Sequence, residues 1–576
     1  MADFQRARTE GTPLLDGRAD VLQEYNSVSI TPLENGSLDK PLKHQVGPLE
    51  LSKRARWTIL SGVWLATFLI SVNMTLVATL LGSISSEFKS SHQAGWLGTG
   101  YLLAVCSFTP LYGRLSNALG RRGANQTALV FTAVGILACG LSRNMEFLIA
   151  ARFFSGLGGG GLFTSSYVIV ADMYSVRERG LASGVAAIFN GLGMGMGGPL
   201  GGWISDALGW RWAFLLQLPF FALSSFLTSS SLNYVAPGEG RNAWDALRRV
   251  DYAGCLCLLV GVGSFLGFLS LHFNGDTPLR DPLVLTSLSV AIAFSVLFVV
   301  VELCVAKEPI LPLWLLRQRI PLLVGISNVL VAQCNFTIIY FFPLWFQSVQ
   351  LTSTSEAGGH LFPTAAAMAL GSLFAGWMIK KTGKYKVLNV IFGICPTITA
   401  FLIANLQMNS SSWAQWFNII PLGFGNAVVL QTTTGKSHNI TLSVALLAAV
   451  EVQHIAVATG FSQLFRGAGQ AIAVAASSAI LQTKLLAELR ARIHGPDAEE
   501  IVQRIRHSVS LVASLPPELQ RSAREAYATS LRAVFRYAAI CAFISFLVRL
   551  GIPEISLDRE PKNSSGQLSD NPDEES

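Results

Sequence analysis

GRLSNALGRR, residues 113–122, returns in outline much later in the chain as GWMIKKTGKY, residues 376–385. In each copy two glycines stand seven apart (Gly113 and Gly120, Gly376 and Gly383) and basic residues follow. A second echo is longer: ASGVAAIFNGLG (182–193) and ATGFSQLFRGAG (458–469) share the pattern A-S/T-G-x4-F-x-G-x-G. One such match arises easily by chance, but two in the same order do not. Both copies keep one orientation along the chain, which predicts parallel repeats. Parallel repeats in a membrane pack as two bundles, with the ligand site near mid-membrane between them.

A bilayer is the only solvent that suits the rest of the chain. The 576 residues are 51% hydrophobic and 13% charged, with mean hydropathy +0.46. That is about half the charge of a soluble globular protein. Apolar stretches of about 20 residues, each long enough to cross the hydrocarbon core, recur from Trp57 to about Leu550. We count fourteen. The expected class is an all-α polytopic membrane protein of two six-helix bundles plus two inserted helices. Residues 1–56 form a polar, disordered cytoplasmic tail and 57–232 the first bundle. A linker and spans 7 and 8 occupy 233–303, and the second bundle occupies 304–550, with a long loop over 484–530. Residues 551–576 are a second disordered cytoplasmic tail. No cleavable signal peptide is expected.

The net charge of +7 and pI near 9.0 do not indicate nucleic acid, because the basic residues sit in short loops between spans. Lys53, Arg54 and Arg56 precede the first span and place the N-terminus in the cytoplasm. The even-numbered loops then carry the positive charge, including Arg121, Arg122, Arg177, Arg179, Lys380 and Lys381. The 484–530 loop falls on the opposite side although it is basic, and its segment EEIVQRIRHSVSLVASL has the spacing of a helix lying on the membrane surface. Asn409-Ser410-Ser411 is a glycosylation sequon in a non-cytoplasmic loop. The eight cysteines fall in apolar spans without a His/Cys cluster, so we expect buried thiols and no metal. No cofactor site and no enzymatic set of side chains is visible at mid-membrane.

What remains polar inside the spans is informative. NGLGMGMGGPLGG (190–202) has a glycine every few positions, which lets helix backbones approach closely. Pro199 removes a backbone hydrogen bond and can kink the helix. Gly195, Gly198, Pro199 and Gly202 are therefore expected at a hinge or at a tight helix contact. Two arginines, Arg152 and Arg466, and the amides Asn73, Asn190, Gln333, Asn335, Gln463 and Gln470 lie within spans. Such groups either face an aqueous cavity or bond between helices. All eight are candidate cavity residues, whereas no Asp or Glu lies well inside a span. A cavity with arginines and no acids favours a carboxylate, a zwitterion or a neutral polar molecule.

GRLSNALGRRG, RFFSGLGGGG (152–161) and NGLGMGMGGPLGG resemble the three signature motifs of the major facilitator superfamily. The last is similar to the motif of its drug:proton antiporters, and fourteen spans match the fourteen-helix branch. WLGTGYLLAVCSFTPLYGRL and WRWAFLLQLPF resemble fungal members, among them vacuolar basic amino-acid transporters and multidrug exporters. The resemblance implies a secondary transporter working by alternating access, not an enzyme. It assigns gating to Gly113, Arg114, Asn117, Gly120, Arg121 and Asp172. Asn117 and Asn73 depart from the family pattern, since amides stand where relatives carry acids. Proton coupling, also implied, then has Asp172 and His360 as its candidates. The tail stretch EGTPLL looks like an acidic dileucine sorting signal built on Glu10, Leu14 and Leu15. The expected partners are a small solute, protons, the bilayer and sorting adaptors, and no nucleic acid. The expectation is amino-acid transport across the vacuolar membrane; the alternative is efflux of drugs or secondary metabolites at the plasma membrane.

Overall fold

A computed structural model of the chain describes residues 52–552, except 175–178, 233–250, 276, 307–310, 312, 383–385, 435–454 and 496. Glu10, Leu14 and Leu15 lie outside the described residues, as do both tails. The first bundle runs α1 (Lys53–Glu87), α2 (Ala94–Ala118), α3 (Gly120–Gly140), α4 (Met145–Met173), α5 (Arg179–Leu208) and α6 (Trp210–Ser231). α7 (Tyr252–Asn274) and α8 (Pro282–Val305) follow. The second bundle runs α9 (Arg319–Gln350), α10 (Thr354–Met378), α11 (Lys386–Ala404), α12 (Ile420–Thr434), α13 (Ile455–Arg492) and α14 (Pro517–Leu550). Eleven of these are long and apolar enough to cross a membrane. Of the other three, α2 and α5 are diluted by glycine and polar residues, and α12 has only 15 described residues. No strand occurs among the described residues. Helix is the form a buried backbone needs here, because it satisfies its own hydrogen bonds where no water can. The ends are closed by side chains, as where Asn144 accepts from Phe147 N and Asp251 from Gly254 N. Gly120 (φ 73°) and Gly209 (φ 91°) make the sharp turns into α3 and α6, where a side chain would be strained.

The repeat is visible as a packing pattern. In the first bundle α1 packs on α5 and α6, and α4 on α2 and α3. In the second, α9 packs on α13 and α14, and α12 on α10 and α11. The bundles meet reciprocally, α2 against α13 and α5 against α10, with α1 against α9 between them. α7 and α8 pair with each other, and α7 leans on α2 and α13.

α5 explains the glycine run. Its glycines fall on two faces. A Cβ at Gly193 or Gly197 would collide with the α1 backbone, and one at Gly201 would press on Leu76. A Cβ at Gly195, Gly198 or Gly202 would instead collide with Ala365, Leu361 or the Thr354 carbonyl of α10. One helix is thus inserted at close range between its own bundle and the other, and within the first bundle Thr79 Oγ1 of α1 donates to the Gly198 carbonyl at 3.2 Å.

Two expectations are corrected. The 484–530 segment is mostly helical: α13 runs on to Arg492, a connector helix spans Ala498–His507, and α14 begins at Pro517. The connector turns its apolar face to protein rather than leaving it free for lipid. Val502, Ile505 and Arg506 are buried against protein, so the amphipathic spacing serves packing on the bundle. The cysteines are free, but Cys304 is exposed and Cys255 and Cys395 are only half-buried. Cys304 sits on α8, an edge helix that turns most of its apolar side chains outward.

Candidate functional site

Asn73 and Arg152 come together, and they do so in the packed interior. Both are 0% exposed. Arg152 reaches from α4 to α1 and donates through Nη1 to Asn73 Oδ1 and through Nη2 to the Asn73 carbonyl. Its Nε donates to the Leu97 carbonyl of α2 at 3.2 Å. The Tyr101 ring covers the guanidinium at 4.3 Å, a favourable cation–π arrangement. Asn73 Nδ2 in turn donates to Gln217 Oε1 of α6 at 3.0 Å, and Gln217 Nε2 donates to the Ala213 carbonyl at 2.7 Å. Among the described residues no carboxylate pairs with Arg152, so the cation is held by amide and carbonyl dipoles alone.

The second bundle answers with a different arrangement. Asn335 of α9 accepts from Asn426 Nδ2 of α12 at 2.6 Å, and Asn426 Oδ1 is left buried with no hydrogen-bond partner among the described residues. Both amides line a cavity of about 20 Å³, with Thr364 of α10 and Gly195 of α5, so it opens between the bundles. A space of that size holds about one water. Arg466 is half-buried on α13 and makes no hydrogen bond or ion pair among the described residues; the group interacting with it is Tyr167 of α4. Gly467 beside it packs on Cys106 of α2. Tyr340 of α9 donates to the Met74 carbonyl at 2.7 Å, joining the bundles next to Asn73.

The other polar candidates are dispersed. Gln333 turns towards α14, where its Oε1 accepts from Cys541 at 3.4 Å. Gln470 is buried, and Asn190 and Gln463 are half-buried. Of the gating set, Arg121 forms an ion pair with Asp172 at 2.7 Å and also donates to Ser116, binding the α2–α3 turn to the end of α4. Arg114 and Asn117 lie on the last turns of α2, and their side chains are outside the described ones. His360 is buried between the Phe346 and Trp416 rings, 3.6 and 4.0 Å away, with Nδ1 2.8 Å from the Glu356 carbonyl. Its Nε2 is buried without a hydrogen-bond partner among the described residues. Asn409 is exposed in the turn between α11 and α12.

Gln217, Asn426 and Thr364 were missed by sequence reasoning. For the two amides the signal was the one used for Asn73, an amide inside an apolar span, and it applies equally to WAFLLQLPF and GFGNAVV; a lone threonine gives no such signal.

At the end that the basic-loop asymmetry places away from the cytoplasm, here called the outer end, the bundles are tied together. Ser83 and Thr354 hydroxyls share a bond of 3.1 Å, Gln347 donates to the Thr79 carbonyl at 2.8 Å, and Asp206 accepts from Ser355 N at 2.7 Å.

Known proteins match this arrangement. A family model described as Major Facilitator Superfamily matches residues 63–474. The chain is 35% identical over 509 residues to "Multidrug resistance protein fnx1" of Schizosaccharomyces pombe, covering 87% of this chain and 93% of that one. It is 29% identical to "Vacuolar membrane amino acid uptake transporter fnx2" of the same organism, over 92% and 89% of the two chains. It is 33% identical to "Vacuolar basic amino acid transporter 1" of Saccharomyces cerevisiae over 57% of each. Among solved structures, a bacterial homolog of the human lysosomal transporter Spinster, inward-facing and occupied, superposes with TM-score 0.57 at 16% identity, covering 86% of this chain and 97% of that one.

Proposed function

Because the chain belongs to the major facilitator superfamily, we propose that this multi-pass membrane transporter moves a small zwitterionic or anionic solute, an amino acid in the first instance, across the vacuolar membrane. The observation that carries the substrate class is Arg466, a cation at the bundle interface without a counter-charge among the described residues. In this reading the solute's carboxylate pairs with Arg466, and the Asn335–Asn426 amides that line the cavity between the bundles supply neutral hydrogen bonds. Asn426 Oδ1 is an acceptor that suits an ammonium or hydroxyl donor. The rocking of the bundles about α5 and α10 opens the site alternately to the two sides. Arg152, already saturated by Asn73, serves as a fixed strut at the edge of this region. Of the two proton candidates, His360 has the unengaged Nε2 while Asp172 is held by Arg121, so we assign coupling to His360. The vacuolar relatives support the compartment. The N-terminal dileucine signal, read by sorting adaptors, adds to it.

A second reading has its own support: the first relative above is a multidrug resistance protein. It predicts export of drugs at the plasma membrane by the same fold. Uptake of labelled acidic, neutral and basic amino acids by vacuolar-membrane vesicles, with and without the protein and with and without a proton gradient, separates the two. Protein-dependent uptake that collapses with the gradient supports vacuolar antiport. Vesicles that contain the protein and take up none of the panel favour the exporter, to be followed by a drug panel.

A further inference from the structure

A pair of histidines at the outer end belongs to none of the motifs above. α1 passes to α2 through the short turn Ser91–Gln93, and the connector helix Ala498–His507 packs against that turn. The rings of His92 and His507 lie 5.1 Å apart, and Ser91 Oγ donates to the His507 carbonyl at 2.8 Å. One turn on, Ser510 N donates to Ser86 Oγ at 3.1 Å. Arg506, only 5% exposed, donates to the Asn274 carbonyl of α7 and to Gln482 Oε1 of α13. The Ser91–His507 and Ser86–Ser510 bonds join the first bundle to the second across the end that must part when the bundles rock outward, and the Arg506 bonds anchor the connector to α7 and α13.

Few charged groups face the two rings. His92 faces His507 and Arg506 from the connector and a single carboxylate, Glu146, from the start of α4. His507 faces Arg506. On the same elements Glu87 pairs with Arg211, Glu499 with Arg490 and Glu500 with Arg504, and Lys89 is exposed. His272 of α7 bonds within its own loop, with Nδ1 2.8 Å from the Thr277 carbonyl. His92 Nδ1 is buried without a hydrogen-bond partner among the described residues, so a proton placed there has no acceptor.

We propose that the connector Ala498–His507 and the turn Ser91–Gln93 form an acid-released latch on the outer gate, with His92 and His507 as the groups whose protonation opens it. Burial, the largest cause, holds both rings below the usual 6.5; Arg506 adds to this for both, and His507 also does so for His92. Once the latch parts, the rings meet water and return towards that value. The open state therefore binds more protons between the lowered pKa values and 6.5. The stability that the two neutral rings lend to closure is whole above 6.5 and is shed as the pH falls through the lowered values. An acidic compartment on the outer side thus favours opening, whatever the cargo, so the latch stands or falls apart from the substrate reading.

Spin labels at Leu208→Cys and Ala513→Cys, both exposed positions, report the gap between the bundles by pulsed electron resonance. The protein is full-length, in lipid nanodiscs, with Cys255, Cys304 and Cys395 replaced by serine. Between about pH 7.5 and about pH 5.0, where histidine titrates, we expect a severalfold rise in a longer-distance population. His92→Gln combined with His507→Gln removes that rise, and His92→Gln alone reduces it. Glu146→Gln, at an exposed position, shifts the transition to higher pH, because the carboxylate favours the protonated ring in the closed latch and its loss widens the gap to the open state. An unchanged distance distribution in the unmodified latch, or a pH response that persists in the double variant, overturns the proposal. So does a Glu146→Gln variant whose transition moves to lower pH.

Discussion

Each bundle carries an arginine within a span, and the two are treated in opposite ways. Arg152 has an acceptor for each of its three nitrogens, a ring over its face and no exposure. Arg466 has no hydrogen bond among the described residues. A buried charge is costly unless hydrogen bonds or a counter-charge replace its water. The first bundle meets that cost within the protein, and the second does not. Repeated folds therefore need not repeat their chemistry, and we propose the half with the unmet group as the half that binds.

This contrast can be broken from the structural side first. Asn73→Leu leaves Arg152 buried without its main acceptor, and should destabilise the protein by about 3 kcal/mol or more. The thermal unfolding midpoint of the purified protein reads this directly. Adding Arg152→Met to the same chain should recover more than half of the loss, because both partners are then apolar. No recovery would mean that the pair does not act as a unit.

A smaller effect tests the seam. Gly195→Leu forces a side chain against Ala365 of α10, and overpacking of this kind costs about 1–3 kcal/mol. Transport should fall at least about tenfold while the protein still inserts and purifies. A Gly195→Leu carrier with full transport would mean that the α5–α10 contact is not part of the moving interface.

The smallest expected change is the sharpest for function. Arg466→Gln should leave the unfolding midpoint near that of the unmodified protein, yet lower uptake of a carboxylate-bearing solute about tenfold, equivalent to about 1.4 kcal/mol of binding. Arg466→Lys, which retains the charge and loses the planar fork, should recover part of it. A loss of stability equal to the loss of uptake would instead mark Arg466 as a structural residue like Arg152.

Much of this was legible in the sequence, and the failures share a cause. Fourteen spans and a parallel repeat follow from apolar length, basic loops and two motif echoes, all of which the bilayer imposes locally. The direction in which Asn73 points does not. In a membrane helix the lipid-facing and core-facing residues are equally apolar, so periodicity carries no phase. Asn73 was expected in an aqueous cavity, and its actual neighbours, Arg152 and Gln217, come from α4 and α6. Asn426 escaped for the same reason, since nothing in GFGNAVV says that α9 presents Asn335 opposite it. The connector failed differently. Its amphipathic spacing was visible, but an apolar stripe does not say whether lipid or protein covers it, and α13 and α14 both outrun the membrane to provide the protein.

That overrun has a mechanical consequence. α13 is a rod of 38 residues, close-packed on α2 at Gly467 and carrying the connector from its far end at Arg492. At about 1.5 Å per residue the arm from that contact to the tip is about 37 Å long. A tilt of about 10° at the seam then displaces the tip by about 6 Å, about twice a hydrogen-bond length. A slight rotation at mid-membrane, too small to widen the central cavity much, is levered into a clean break of contacts at the outer end.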